Sequence, residues 1–364
     1  MRNISNGLKI AVIYASVFVG AGFVSGQELL QYFVRFGQRG MAGIMTAGAL
    51  FALVGWAVLR ICKRQKITNY HGLMTHLFGP KFGSVMEGIV TTFSFCLFVA
   101  VFAGAGATGR EAFGLPFTIS ALAVGLCVFL ILCFGLTGII KMNMALAPFL
   151  LLGGIFLGLY TFFARSSPVF AHFLSSPLGV AWLLSALVYA SYNLVTAVPV
   201  LSATAPMAAH KKDAAMGGLL GGGLITVLGI SMALPLFLHY RQVVSLEIPF
   251  LYIATYHGHS IRLLYLAVLI AAIITTAACN AFAVMEWLKS RGFHREPSAF
   301  HTKKFTRAKI KTAAMLCAVG VAASHVGFST LVTYVYPAFG VLGLFKILVV
   351  LWHGFWYTGY GPPD

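Results

Sequence analysis

Val19-Gly20-Ala21-Gly22-Phe23-Val24-Ser25-Gly26-Gln27-Glu28-Leu29-Leu30-Gln31-Tyr32-Phe33 lies inside an apolar run covering about residues 8–34, yet its glycines weaken it as a plain helix. A run of that length is what a helix needs to cross a bilayer, roughly 20 residues. Gly20, Gly22 and Gly26 fall within seven residues together with Ser25, and each glycine costs a helix about 1 kcal/mol relative to alanine. Backbone released from helical bonding at membrane depth is tolerated only where it lines a polar cavity or is buried in protein. The stretch is therefore expected to break the helix, with an outer half beginning near Phe23–Gly26 that directs free N–H groups at an anionic group of a ligand. The four-residue spacing of Gly22 and Gly26 equally suits close packing of two helices, and both explanations stay open at this point. Glu28 stands about two turns inside the outer end, in a polar patch with Gln27 and Gln31. A carboxylate at that depth is costly unless paired, protonated or facing water. It is a candidate for a pathway or proton-coupling role, the alternative being a structural hydrogen bond.

The rest of the chain is of the same kind. Apolar residues make up 59% and charged residues 9%, against roughly 25% charged in soluble domains, and the mean hydropathy is +0.90. Ten apolar runs approach spanning length, at about 8–34, 40–62, 84–108, 116–138, 142–164, 180–204, 215–239, 262–288, 309–326 and 329–352. The expected class is an all-α integral membrane protein of ten transmembrane helices. The first run has a basic start, but its polar residues and the lack of a small-residue cleavage pattern mark it as a retained helix, not a signal peptide. Cys62, Cys96, Cys127, Cys133, Cys279 and Cys317 form no CxxC or CxxH pattern, and no disulfide is expected.

The net charge of +17 is a topology signal. With a cytoplasmic N-terminus the inner side receives 18 of the 25 Lys and Arg residues, concentrated in Arg60–Lys81 and Lys289–Lys311, while the outer side holds 6: Arg35, Arg39, Arg110, Arg165, Arg241 and Arg262. That bias puts both termini in the cytoplasm. The basic loop is expected to touch anionic membrane lipid, and nucleic acid is not expected as a partner. Lys346, within the last run, is expected to snorkel to the inner interface. Glu87 and Glu286 lie near inner span ends and are expected to pair there; Glu111, beside Arg110, belongs to an outer loop.

Two connectors look structured: Thr68–Phe78, a short interfacial helix stopped by Gly79-Pro80, and Glu247–Ala254, an outer amphipathic segment with a proline near its start. The chain also repeats. Ile13-Tyr14-Ala15-Ser16 recurs as Val188-Tyr189-Ala190-Ser191, and the second copy leads into Tyr192-Asn193 with Pro199 following. The expected plan is a 5+5 inverted repeat, 1–172 and 173–364, in one membrane domain, with the first and sixth helices both broken. Inverted repeats with interrupted first helices mark secondary transporters whose site lies near the midplane.

Val19-Gly20-Ala21-Gly22-Phe23 resembles the first-helix break of the amino acid–polyamine–organocation transporters, which have the leucine-transporter (LeuT) fold. The longer run from Gly20 to Phe33 is similar to the uncharacterised YkvI-type bacterial membrane proteins of that superfamily. The resemblance implies a substrate site between the two breaks, at Gly20, Ala21, Gly22, Phe23, Tyr189, Ser191, Tyr192 and Asn193. In it, amides of the first break hold a carboxylate and carbonyls of the sixth helix hold an amine. Tyr189 and Tyr192 would be aromatic gates or ordinary packing. Thr275 and Thr276 resemble the eighth-helix hydroxyl pair that helps bind sodium, with carbonyls near Ser16 and Val19 completing the cage; the competing explanation is that the threonines bond their own helix. Other members of the superfamily use protons or a basic side chain. The implied function is a secondary active transporter of a small amino-acid-like or zwitterionic solute in the bacterial inner membrane, coupled to Na+ or protons and without other cofactors. The alternative is a ligand-sensing receptor subunit of the same fold that does not transport. The chain carries no HExxH, GxSxG or Walker-type motif, and an enzyme is not expected.

Overall fold

The computed structural model of the chain describes residues 5–164, 179–290 and 307–356, with the backbone alone at 134–145, 147, 289, 290 and 307–309. The boundary between the expected halves, Arg165, the stretch 291–306 within the basic loop and the tail after Trp356 lie outside the described residues, as do the side chains of Lys141, Lys289 and Lys309. The described residues are helical throughout, in the order α1 (Asn6–Phe18), α2 (Ala21–Ser25), α3 (Gln27–Tyr32), α4 (Gln38–Arg64), α5 (Tyr70–Phe113), α6 (Phe117–Phe163), α7 (Ala181–Thr204), α8 (Lys211–Leu238), α9 (Pro249–Tyr256), α10 (His259–Ser290), α11 (Arg307–Ala323) and α12 (Tyr336–Phe355). A π-helical turn, Leu331–Val335, leads into α12. Six helices are long and apolar enough to cross a membrane, and four shorter apolar ones cover Asn6–Phe18, Phe117–Cys133, Pro148–Phe163 and Ile310–Val326. Large apolar side chains such as Leu152, Phe163 and Leu348 point outward. Such a surface is stable against lipid and a liability in water.

The first apolar run is built in three pieces. α1 ends at Phe18, Val19 and Gly20 leave the helix, and Gly20 is extended. The second joint is Gly26, whose φ of +84° is in the left-handed region that favours glycine. Its freed polar groups are met inside the protein. The Ser25 hydroxyl donates to the Gly22 carbonyl at 2.8 Å and accepts the Gln27 N–H at 3.2 Å, and the Tyr265 hydroxyl donates to the Val24 carbonyl at 3.2 Å. A joint satisfied in this way survives away from water.

The sixth run departs from expectation. α7 is helical from Ala181 to Thr204, with no break at Tyr192-Asn193. The polar side chains there bond back onto their own helix: Asn193 Nδ2 to the Tyr189 carbonyl at 3.0 Å and Thr196 Oγ1 to the Asn193 carbonyl at 2.9 Å. Pro199 lacks one N–H, the one that would reach the Val195 carbonyl four residues earlier. That carbonyl is met by Lys346 Nζ at 3.5 Å, and Nζ also lies 3.3 Å from the Tyr70 hydroxyl. Lys346 therefore does not snorkel. It is 4% exposed and held by acceptors inside the protein.

The fourth and fifth runs, expected to part around Lys141, belong to one helical stretch, α6. Residues 139–147 contain neither glycine nor proline, and Pro148, inside the helix, removes one i→i−4 hydrogen bond, that to the Met144 carbonyl. Both connectors are formed. Asn69 Oδ1 accepts the Gly72 N–H to cap the segment from Tyr70, Gly79 breaks it at φ +75°, and Pro249 opens α9. Glu87 pairs with His71 at 2.8 Å, while Arg110 reaches Glu247 at 3.2 Å, joining the end of α5 to the chain before α9. At the centre α1 lies against α7 and α8, α4 against α7 and α8, α12 against α7, and α10 against α2, α5 and α6.

Candidate functional site

The turn at Gly26 redirects the chain so that Glu28 folds back over α2. A Cβ added to Gly22 would fall 2.0 Å from Glu28 Oε1 and 2.8 Å from its Cδ, so the carboxyl occupies the space a side chain would fill. Glu28 is 7% exposed, and its Oε2 accepts the Tyr192 hydroxyl at 2.8 Å. No Lys or Arg among the described residues forms an ion pair with it; the pairs found there are His71–Glu87 and Arg110–Glu247. A buried carboxylate with a hydroxyl and no counter-charge is an expensive arrangement when ionised.

Rings gather around the tyrosine that holds this carboxyl. Tyr192 lies 5.4 Å from Tyr32, 5.4 Å from Tyr189, 5.1 Å from Tyr336 and 6.0 Å from Phe93, measured between centroids. Tilted and edge-on pairs at such distances are favourable, and ring faces attract cations. The last span anchors the cluster through Gln27 Nε2 to Ser329 Oγ at 3.0 Å and the Tyr32 hydroxyl to the Val332 carbonyl at 3.2 Å. Ser185 Oγ donates to the Tyr32 carbonyl from α7. Gln27 Oε1 is buried without a hydrogen-bond partner.

The expected site residues are thus distributed among several surroundings. Gly22 and Tyr192 meet at Glu28. Phe23 and Tyr189 line an apolar cleft of about 230 Å³ with Phe33, Phe51, Ile225 and others. Ala21 is buried at the start of α2. Ser191 points the other way, toward Gly343 of α12, where its hydroxyl has no partner. Asn193 serves its own helix. Tyr32, Phe93, Ser329 and Tyr336 were not singled out from the sequence. A tyrosine one turn beyond Glu28, and a tyrosine–proline pair opening the last apolar stretch, were the signals available.

For a hard cation the arrangement fits in part. A Cβ on Gly20 would lie 3.3 Å from Thr276 Oγ1, so that hydroxyl sits directly against the joint. The Thr275 hydroxyl donates to the Ala272 carbonyl at 3.1 Å, the Ser16 hydroxyl to the Ile13 carbonyl at 2.8 Å, and the Ser16 carbonyl accepts the Val19 N–H at 3.2 Å. Hydroxyl oxygens that donate elsewhere keep lone pairs for a cation.

No protein-family model matches the chain. It is 26% identical over 337 residues to the uncharacterized membrane protein YkvI of Bacillus subtilis strain 168, covering 92% of each chain. It superposes on MhsT in complex with L-phenylalanine with a TM-score of 0.69 and 15% identity, over 95% of this chain and 88% of that one. It also superposes on the substrate-bound outward-open state of a Na+-coupled sialic acid symporter, with a TM-score of 0.59 and 14% identity, over 97% of this chain and 79% of that one. The chain resembles YkvI-type membrane proteins along nearly its whole length, and its fold is that of the LeuT-type transporters.

Proposed function

We propose that the chain is a secondary transporter that moves a small amino-acid-like or zwitterionic solute by alternating access, with the solute's ammonium facing Glu28. The observation that carries this is the carboxyl itself: buried, held by Tyr192 beside a cluster of aromatic rings, and without an ion pair to any Lys or Arg among the described residues. An organic ammonium supplies the missing charge and suits the rings. Because Glu28 fills the space over Gly22, the solute's own carboxylate belongs elsewhere than at that glycine. The neighbours in fold include one protein bound to L-phenylalanine and one Na+-coupled symporter, which supports an amine-bearing solute and an ion gradient. Thr276 against Gly20 supports sodium, held there with carbonyls near Ser16 and Val19; Glu28 is the group on which a proton would ride instead. Ten spans in two inverted halves, the fourth and fifth carried by the two ends of the 47-residue α6, with both termini in the cytoplasm of a bacterial cell, complete the proposal.

The test is a thermal-shift panel of amino acids and amines, with and without sodium, followed by uptake of any stabilising compound into proteoliposomes. Amine-dependent stabilisation that disappears in Glu28→Gln, together with gradient-driven uptake, is the expected result. Stabilisation without uptake would support the sensor alternative. Stabilisation by simple carboxylates but not by amines would sink the role given to Glu28.

A further inference from the structure

The seam between α7 and α12 holds a buried lysine and a flawed helix at the same point. On α12, Gly340 and Gly343 lie so close to α7 that added Cβ atoms would fall 2.6 Å from Val188 Cγ1 and 2.5 Å from Ser191 Oγ. One turn further, Lys346 enters the seam. Its Nζ reaches the Val195 carbonyl, which lacks a helical partner because Pro199 has no N–H. The same nitrogen lies 3.3 Å from the Tyr70 hydroxyl and 4.9 Å from the centroid of that ring, in the segment between the second and third apolar runs. A side chain of another helix therefore stands in for a main-chain hydrogen bond that α7 cannot make. Just above, the Ser191 hydroxyl is fully buried on the same face with no partner of its own.

We propose that Lys346 is a detachable clasp: while it holds the Val195 carbonyl, α7 is continuous, and when it withdraws α7 opens between Val195 and Pro199. A break in the sixth span, one turn beyond the Tyr192-Asn193 position expected from the sequence, then belongs to a second conformation of the protein, in which the Ser191 hydroxyl and the Val195 carbonyl face the seam together as acceptors for a cationic group. Lys346 is a positioning residue in this scheme. Tyr192, which holds Glu28, stands one turn before Val195 on α7, so the state of the clasp governs where the carboxyl's hydrogen-bond donor sits. The proposal extends the transport reading, but its test needs no solute, so its failure would leave that reading untouched.

The test is a mutant cycle on the full-length protein in lipid nanodiscs, read by amide hydrogen exchange across residues 194–203. Lys346→Met removes the clasp and keeps the apolar stem. Exchange in this stretch is expected to rise about tenfold or more over wild type, the scale set by losing a buried hydrogen bond from a charged donor. Lys346→Arg keeps N–H donors and is expected to stay much closer to wild type. The deciding arm is Pro199→Ala, which returns the missing N–H to the Val195 carbonyl. In that background Lys346→Met should change exchange by less than about twofold, since no acceptor is left waiting. Acceleration of the same size with and without Pro199 would show that Lys346 merely packs, and would overturn the clasp; so would an unchanged rate in Lys346→Met alone. Should Lys346→Met fail to fold, recovery of a folded protein by Pro199→Ala supports the clasp, and failure of the double variant as well refutes it.

Discussion

Replacing Gly22 by alanine tests the central geometry with one carbon atom. Its Cβ would arrive 2.0 Å from Glu28 Oε1, where ordinary contact begins at 3.4 Å, so the carboxyl must retreat by about 1.4 Å. The Tyr192 hydroxyl is 2.8 Å from the other carboxyl oxygen, and a retreat of that size takes it out of hydrogen-bonding range. A hydrogen bond to a charged group contributes about 1.5–3 kcal/mol, so affinity for an amine solute should fall roughly ten- to a hundredfold. The backbone at Gly22 is helical, and the roughly 1 kcal/mol by which alanine is favoured there offsets only part of that loss, so Tm should fall modestly. The assay is isothermal titration with whichever amine stabilises the wild type. The refuting experiment is the same substitution in a Glu28→Ala background. Read by Tm, with no carboxyl to displace, Gly22→Ala should be neutral or mildly stabilising there. An equal fall in Tm in both backgrounds would mean that Gly22 acts independently of Glu28.

Other expectations follow from the same geometry. Gly26→Ala forces a side chain into φ +84° and should destabilise the protein by about 1–2 kcal/mol, visible as a lower Tm; an unchanged Tm would deny that joint its strain. If sodium drives transport, Thr276→Val should sharply weaken the sodium dependence of uptake, because a methyl cannot replace an oxygen ligand. If protons drive it, Glu28→Asp, which keeps a carboxyl for the ammonium, should shift the pH dependence of uptake while sodium remains irrelevant; sodium-independent uptake that Thr276→Val leaves intact would remove the sodium proposal. Single cysteines replacing Arg295 or Lys304 should resist an impermeant thiol reagent on intact cells, whereas one replacing Arg241 should react, and the reverse pattern would invert the topology.

Much of the fold was legible because the bilayer makes a simple demand of sequence. Apolar runs of spanning length, a scarcity of charge and the lopsided distribution of Lys and Arg need no tertiary information to be read. The joint at Gly20–Gly26 was legible for a local reason as well, since three glycines with a serine weaken a helix wherever it sits. The sixth span misled because Asn193, Thr196 and Pro199 look disruptive one by one, whereas the two polar side chains bond to their own helix and the proline's deficit is met from Lys346, far along the chain. Lys346 itself was misjudged for the same reason: snorkelling is what an isolated helix does, and the acceptors that hold this lysine inside come from α5 and α7. The candidate site was half visible. Glu28 stood out by its depth, but Tyr32, Phe93 and Tyr336 are unremarkable aromatic residues until three helices bring them around the tyrosine that holds its carboxyl.

The ties between the first and last spans bear on how the protein is made. Gln27 meets Ser329 across 302 positions, and Tyr32 meets Val332 across 300, so the site's first elements leave the ribosome long before the groups that steady them. Until the last span has inserted, the newly made chain carries Glu28 in the membrane without that side of its surroundings. Chains shortened before Ser329 would retain most of their apolar runs and still lack a finished centre.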